Sequence, residues 1–460
     1  MLRIFALITI GFLLPLAAGL KNLTLNQALH LLDRKSLEIK IAQFDEAMKK
    51  YDELEVQGKE WGSATITLQA LRSNDAGNVF GFKLQSREAD FGDFGFNSFL
   101  PCMSPTPPAY CQDILHVQPH DLNYPGARNH FLTKLTYKVP VFTGWKLSEY
   151  KAITRKLYEM SKLDTRKLRD EKIYQVKKAF YNIALVQNYV YNLRKIRANM
   201  VKLKRTILAM KKEGYTKKTD VLEVEARLAQ VDSMLNQAKL NKDLAYQFLS
   251  FLLDTDVDSV RPVHLRVRAP RVSKADIERL SLDIQKAKMG LEVAGHAVGV
   301  AKANFLPMVG AFGEYGSADN TLWNDFTQKD FYTIGMQVQW NVFNGGSDRA
   351  KLEKARLRRM KVAEQVMLAK KGIALKVKKL QTAIKSLEFD MRSAQKQLDL
   401  AREIYATYEA KYKEGLASIT DVLIKQSIEL EVLLKYLNVA NKHSEKVFEL
   451  EKVLDLGGRS

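Results

Sequence analysis

The chain is poor in cysteine and proline, and only its first residues form a continuous apolar run. Cys102 and Cys111 are the two cysteines in 460 residues, too few for a disulfide scaffold. None of the 11 prolines lies between Pro140 and Pro262, and none follows Pro307. Proline breaks helix interiors, so those stretches are free to be helical. Beyond the N-terminus no apolar segment approaches the ~20 residues of a membrane-spanning helix. There is no phosphate-cradling glycine loop, HExxH pair or nucleophile elbow, so the sequence supports neither an enzyme nor a bound cofactor. His30, His264, His296 and His443 are scattered and read as solvated or packed residues rather than metal ligands. Lysine and arginine are not interleaved with aromatics along one face, which argues against nucleic acid.

What is present begins with an export signal. Arg3 is followed by an apolar core from Ile4 to Leu16 and by the small residues Ala17, Ala18 and Gly19, the pattern of a cleaved signal peptide over residues 1–19. No cysteine follows the core, so a lipoprotein signal is not expected. The net charge of +20 is spread along the chain and reads as a solvated, lysine-rich helical surface. In an oxidising compartment Cys102 and Cys111, nine apart in a proline-rich connection, are expected to form a local disulfide. A metal site with His116 and His120 is the sharper and weaker alternative.

Two stretches are built for long helices. Neither glycine nor proline occurs between Trp145 and Glu213, and only Gly372 interrupts Ser347 to Glu414. As helix, each would run about 100 Å at 1.5 Å per residue, a length typical of coiled coils. Ile173, Val176, Phe180, Ile183 and Ala184 keep the three–four spacing of a buried helical stripe. Each stretch ends in one phrase: KEGYTKKTDVL from Lys212 and KEGLASITDVL from Lys413, 201 residues on. Gly214 and Gly415 stop the first helix of each pair, and a second helix returns to Asp254 or Asp455. The phrases are thus the turns of two helical hairpins.

Period-two alternation marks strands. It occurs in ATITLQAL (64–71), in FLTKLTYKVPVF (131–142), in FYTIGMQVQWNVF (331–343) and more weakly in MVGAFGEYG (308–316). VFTG at Val141 and VFNG at Val342 are again 201 apart, which points to an internal duplication. The expected organisation has a first repeat over 20–254, with strands near 64–72 and 130–142 and a hairpin near 145–254. A linker covers 255–272. A second repeat covers 273–460, with strands near 308–316 and 331–343 and a hairpin near 346–455. A long connection rich in glycine, proline and phenylalanine separates the first two strands.

An exported chain with aromatic-bearing strands of this length fits an outer-membrane barrel. Lipid satisfies no backbone hydrogen bond, so a membrane sheet must close on itself. Four strands cannot close, and the smallest barrels have about eight, so several copies are expected to pool their strands. Lys134, Thr136, Lys138, Gln337 and Gln339 are expected to face a wet lumen, which would favour anions. Tyr137, Val139, Val338 and Trp340 are expected to face lipid.

The duplicated KEG…TDVL phrase, NFLPMVGAFGEYG (304–316), WNVFNGG (340–346) and the proline-free helices resemble the TolC-like outer-membrane efflux family over 20–455. The resemblance implies a fold that is mainly α with membrane β. Three chains of four strands each form a 12-stranded β-barrel, continued by a long α-helical coiled-coil barrel across the periplasm. It implies a homotrimer that gives a passive exit duct, gated at its periplasmic tip, to a tripartite efflux pump or a type I secretion system. A periplasmic adaptor and an inner-membrane transporter are the implied partners. By the same resemblance Asp421 matches an acidic ring at the constriction, Tyr412 a polar link between coils, and Asp220 an acidic partner in the first repeat. Ala417 and Ile424 stand where the family's best-known member has an arginine link and a second acid, and Glu223 is the candidate to compensate. Capping of the returning helix is an equally simple role for Asp220 and Asp421. A structural or adhesive coiled-coil surface protein, and the periplasmic adaptor of such a pump, stay open as alternatives.

Overall fold

Two helices of 67 residues each dominate the chain: α6 (Lys146–Lys212) and α10 (Ser347–Lys413). In the computed structural model, which describes residues 19–322 and 325–457, each is followed by a shorter returning helix, α7 (Lys218–Leu253) and α11 (Ile419–Val453). The signal segment expected over 1–19 lies, but for Gly19, outside the described residues. Before the first hairpin stand α1 (Leu25–Lys35), α2 (Leu37–Gly58), β1 (Ser63–Ser73), α3 (Ala76–Gln85), the single-turn helices α4 (Phe96–Phe99) and α5 (His120–Asn123), and β2 (Arg128–Phe142). Before the second stand α8 (Lys274–Leu280), α9 (Leu282–Ala303), β3 (Met308–Asp319) and β4 (Asp330–Gln339).

The chain divides into two units. Residues 19–48, 158–291 and 362–457 form the helical unit. Its buried side chains make three principal clusters. One joins all four long helices near their turns, with Met200, Ile207, Val224 and Val231 of the first hairpin against Tyr412, Ile419, Val422 and Leu430 of the second. A second packs α1 and the linker residues Val257 and Val260 on α6 and α7, and a third packs α8 and α9 on α10 and α11. The linker therefore contributes core side chains, and two isolated parallel bridges, Leu20 to Val257 and Leu23 to Val260, tie it to the start of the chain.

Residues 49–157 and 292–361 form the other unit, built on an antiparallel sheet in the order β1-β2-β3-β4. Directly paired residues share a face, so the register sorts the side chains. Thr65, Thr136, Glu314 and Thr333 form one row, and Ile66, Leu135, Tyr315 and Tyr332 form the next row on the opposite face. The last row is exposed, although no soluble sheet gains by wetting it. The sequence reading carries β4 to Phe343, but the ladder stops at Gln339 paired with Met308. The next partner would be Pro307, which has no N–H to donate. Trp340 therefore lies beyond the strand, with its Nε1 donating to the carbonyl of Phe305 at 3.1 Å.

The connection between β1 and β2 is not an irregular loop. It carries α3, α4, α5 and several 3₁₀ turns, and Cys102 and Cys111 are joined in a disulfide with Cα atoms 5.3 Å apart. His116 lies 2.6 Å from Asp113 and His120 3.6 Å from Asp121. The segment is fastened to the strand ends by ion pairs. Lys329, between β3 and β4, reaches Glu88 at 2.5 Å and Asp319 at 2.6 Å, and Arg128 also pairs with Glu88. The Lys329 and Asp319 side chains are largely buried, so removing the cation takes the ion-pair partner from Asp319 and leaves Glu88 with Arg128 alone.

Replacing Lys329 by alanine is expected to weaken this fastening by about 3 kcal/mol, the cost of breaking a buried pair one-sidedly. Limited proteolysis reads it: cleavage within 89–125 accelerates severalfold, while the helical unit's protection is unchanged. Equal cleavage rates in variant and parent would refute the role.

Candidate functional site

Both hairpins turn by the same backbone device. Gly214 and Gly415 have φ of 82° and 71°, a left-handed conformation that costs other residues about 1 kcal/mol or more. In the first turn Gly214 N donates to Lys211 O and Tyr215 N to Met210 O; in the second Gly415 N donates to Tyr412 O and Leu416 N to Lys411 O. These crossed bonds satisfy the last helical carbonyls. The left-handed positions recur at the 201-residue spacing: Gly144 and Gly345, Trp145 and Gly346, Gly214 and Gly415, Asp254 and Asp455.

The acidic residues of the repeated phrase sit at the third position of each returning helix. Asp421 accepts from Ser418 N at 3.1 Å and Ser418 Oγ at 2.6 Å, while Asp421 N donates to Ser418 Oγ, a complete capping box. Those bonds hold its carboxyl below the usual carboxylate range. Asp220 makes half of such a box, accepting from Lys217 N at 3.2 Å; a lysine side chain has no acceptor to complete it. The expected capping role is thus met by an N3 acid rather than an N-cap residue.

The two turns meet. Thr420 Oγ1 donates to Glu223 Oε2 at 2.9 Å across a sequence separation of 197 residues, one helical turn beyond Asp220. Tyr412 is buried, and its hydroxyl has no hydrogen-bond partner among the described residues. Burial, and then the charge of Asp220, push its pKa upward. Tyr412, Asp220, Glu223 and Thr420 therefore gather at one place beside Asp421's helix start.

On the sheet, Lys134 pairs with Glu314 at 3.0 Å, and Thr136 Oγ1 donates to the same carboxylate at 3.3 Å. Lys138 shares this face and has no carboxylate within ion-pair distance among the described residues. By register Gln337 and Gln339 lie opposite Gly310 and Met308, in phase with Thr333. Sequence reasoning overlooked Glu314, although it is the one charge in the interior of a glycine- and aromatic-rich strand that ends at Asp319, and it stands in the polar phase. The same face is not wholly polar, since the ring of Phe312 covers Gly335.

Among the described residues no cluster of histidine, cysteine and carboxylate groups could hold a metal ion, and no helix could cross a membrane; neither observation bears on the strands. Described as Outer membrane efflux protein, a family model matches residues 276–455, the stretch holding β3, β4 and the second hairpin. That stretch of the chain resembles the outer membrane efflux proteins. The solvent efflux pump outer membrane protein SrpC of Pseudomonas putida is 25% identical over 226 residues, 44% of this chain and 46% of SrpC. The matched stretch thus spans about half of that relative. The fold extends further than the sequence likeness. A crystal structure of CusC superposes with a TM-score of 0.76 at 13% identity, covering 94% of this chain and 91% of that one. The open state of the Neisseria gonorrhoeae MtrE outer membrane channel gives 0.75 at 14%, covering 94% and 89%. The relatives matched by sequence are named as outer membrane proteins.

One pair in the helical unit stands apart from the hairpin turns. Asp170 of α6 is buried against Asp455, itself paired with Arg166, while Arg169 pairs with Asp33 at 2.6 Å. Burial, then hydrogen bonding to Asp455 and its charge, push the Asp170 carboxyl up to about 8 against the pull of Arg169 and Arg166. A raised folded-state value means that the folded chain holds a proton the unfolded chain has released. Its stabilisation is complete below about pH 4, the unfolded value, and is lost as pH rises through about 8. Asp170→Asn is expected to flatten thermal stability across that window and to raise it at pH 8. An unaltered pH profile of the melting temperature in detergent would exclude a shared proton.

Proposed function

We propose that this protein is the outer-membrane channel-tunnel of a tripartite efflux pump or type I secretion system, a passive exit duct that does no chemistry. One observation carries the reading: a four-stranded sheet with two unpaired edges and one exposed apolar face. Lipid accepts that face and forbids those edges, so other copies must pair with them.

The two free edges belong to different strands, β1 and β4, which favours a head-to-tail ring over a two-fold dimer. α2 carries exposed Leu37, Ile41, Phe44, Met48 and Tyr51 at helical spacing, and α10 carries exposed Leu357, Met360, Leu368 and Leu375 likewise; neighbouring copies would cover both stripes. Three copies would give 12 strands, the number the resemblance implies, and the helices would close a coiled-coil tunnel. The 201-residue recurrence of left-handed positions supports an internal duplication behind this arrangement. A periplasmic adaptor and an inner-membrane transporter complete the proposed machine.

The hairpin turns form the proposed periplasmic gate. Capping fixes where the Asp421 carboxylate sits, so copies of it around a symmetry axis would repel or bind cations. The Thr420 to Glu223 bond is a reversible polar latch between the two repeats, of the few-kilocalorie kind that a two-state element needs. Removing it with Thr420→Val and Glu223→Gln is expected to raise the open fraction of single channels in planar bilayers severalfold. Full-length protein that never conducts would sink the duct; conductance unchanged in the double variant would sink the latch.

In the proposed lumen, Glu314 neutralises Lys134 and leaves Lys138 as the uncompensated charge. Reversal potentials in a salt gradient are expected to shift toward anions in Glu314→Gln and toward cations in Lys138→Gln. Shifts of the opposite sign would place this face outside the conduction path.

A further inference from the structure

The junctions between strands and helices carry a belt of exposed aromatic side chains. Trp61 precedes β1, Trp145 follows β2, Phe305 precedes β3, and Trp340 and Phe343 follow β4; all five are exposed. The belt is anchored: Tyr137 Oη donates to Trp61 O at 2.6 Å, Trp340 Nε1 reaches Phe305 O, and Trp145 packs edge-on against Phe142. Rings with an apolar body and a polar tip collect at the headgroup level of a bilayer. The belt therefore marks where hydrocarbon ends on the helical side of the sheet.

The helix leaving the last junction has an excess of positive charge there. In the first four turns of α10, Arg349, Lys354, Arg358, Arg359 and Lys361 are exposed. None has a carboxylate partner among the described residues. The acids nearby are committed elsewhere, Asp348 to Lys351 and Glu353 to Arg356. The corresponding part of α6 is compensated: Lys151 pairs with Glu60 and Lys156 with Glu292. Lys354, Arg358 and Lys361 follow at intervals of four and three, so they share one helix face. All five lie within about 20 Å of the start of α10 at 1.5 Å per residue. Salt screens headgroup attraction beyond about 10 Å, so Arg349 and Lys354 lie within that reach of the helix start, and the long side chains of Arg358, Arg359 and Lys361 reach back toward it.

We propose that the first four turns of α10 bind the phosphate headgroups of anionic phospholipid in the leaflet next to the aromatic belt. The inference rests on the reading that the sheet lies in a membrane, and it adds a lipid specificity to that reading. Arginine and lysine beside a tryptophan belt suit a ligand whose phosphate is held at a fixed depth. Contacts of this kind would set how deep the barrel sits without a lipid chain attached to the protein.

The test uses the full-length channel reconstituted in phosphatidylcholine bilayers with spin-labelled phosphatidylglycerol or spin-labelled phosphatidylcholine as reporter. The parent is expected to enrich the anionic probe roughly threefold in its motionally restricted lipid shell, with the preference shrinking in high salt. The variant Lys354→Gln/Arg358→Gln/Arg359→Gln/Lys361→Gln is expected to lose the preference while still conducting. Lys376→Gln/Lys378→Gln/Lys379→Gln, about 45 Å from the helix start by the same rise, is expected to retain it. Sodium phosphate is expected to displace no more probe than sodium chloride of equal ionic strength; specific displacement would assign the site to free phosphate instead. A conducting channel without preference, or a quadruple variant that keeps it, overturns the inference alone. Protein that neither conducts nor restricts any lipid overturns the membrane reading beneath it.

Discussion

An unfinished hydrogen-bond ladder governs this protein. Each chain ends its sheet at β1 on one side and β4 on the other, with rows of amides and carbonyls that only another strand can satisfy. In water such edges invite aggregation; in hydrocarbon they cannot exist. The rest of the structure is consistent with a chain that is one segment of a ring. α2 and α10 carry exposed apolar stripes, and the row Ile66, Leu135, Tyr315 and Tyr332 is exposed. The molecule's exposed hydrophobic surface is organised, not scattered.

Charge is distributed by the same logic. Along the helices many cations are paired, and the positive balance resides in exposed lysines and arginines that face solvent. On the sheet, Lys134 and Glu314 cancel each other within one face. In the helical unit, burial beside Asp455 pushes the Asp170 carboxyl upward although Arg166 and Arg169 stand close by. Three solutions to one electrostatic problem thus occur in one chain, chosen by how much water each site retains.

Much of this was legible in the residues. The hairpins could be read because proline and glycine are absent from the helices and glycine marks each turn. The strands could be read because a sheet wet on one side and greasy on the other must alternate. Their ends were less visible: the pattern of alternation runs on through Trp340 to Phe343, and only the missing N–H of Pro307 explains why pairing stops. The connection from 74 to 127 was opaque, since short helices held by Glu88, Arg128 and Lys329 leave no periodic trace. Asp170 did leave one. It stands seven residues after Leu163 and seven before Lys177, in phase with the buried stripe, but a charge in that phase reads first as an error of register. Tyr412 and Asp220 were singled out by the family resemblance and Glu223 by its place one turn on, whereas the Thr420 bond required the two turns to be seen side by side.

The matched lengths of α6 and α10 have an evolutionary corollary. Because their turns interlock through Glu223 and Thr420 and share a core, the two helices must reach the same level. Deleting one residue from either would draw its turn back by about 1.5 Å and rotate it by about 100°, which would unseat the contact and misdirect the buried stripe. Edits that preserve both the contact and the stripe would have to be made in both hairpins together, in each outgoing helix and its return, and in multiples of about seven residues.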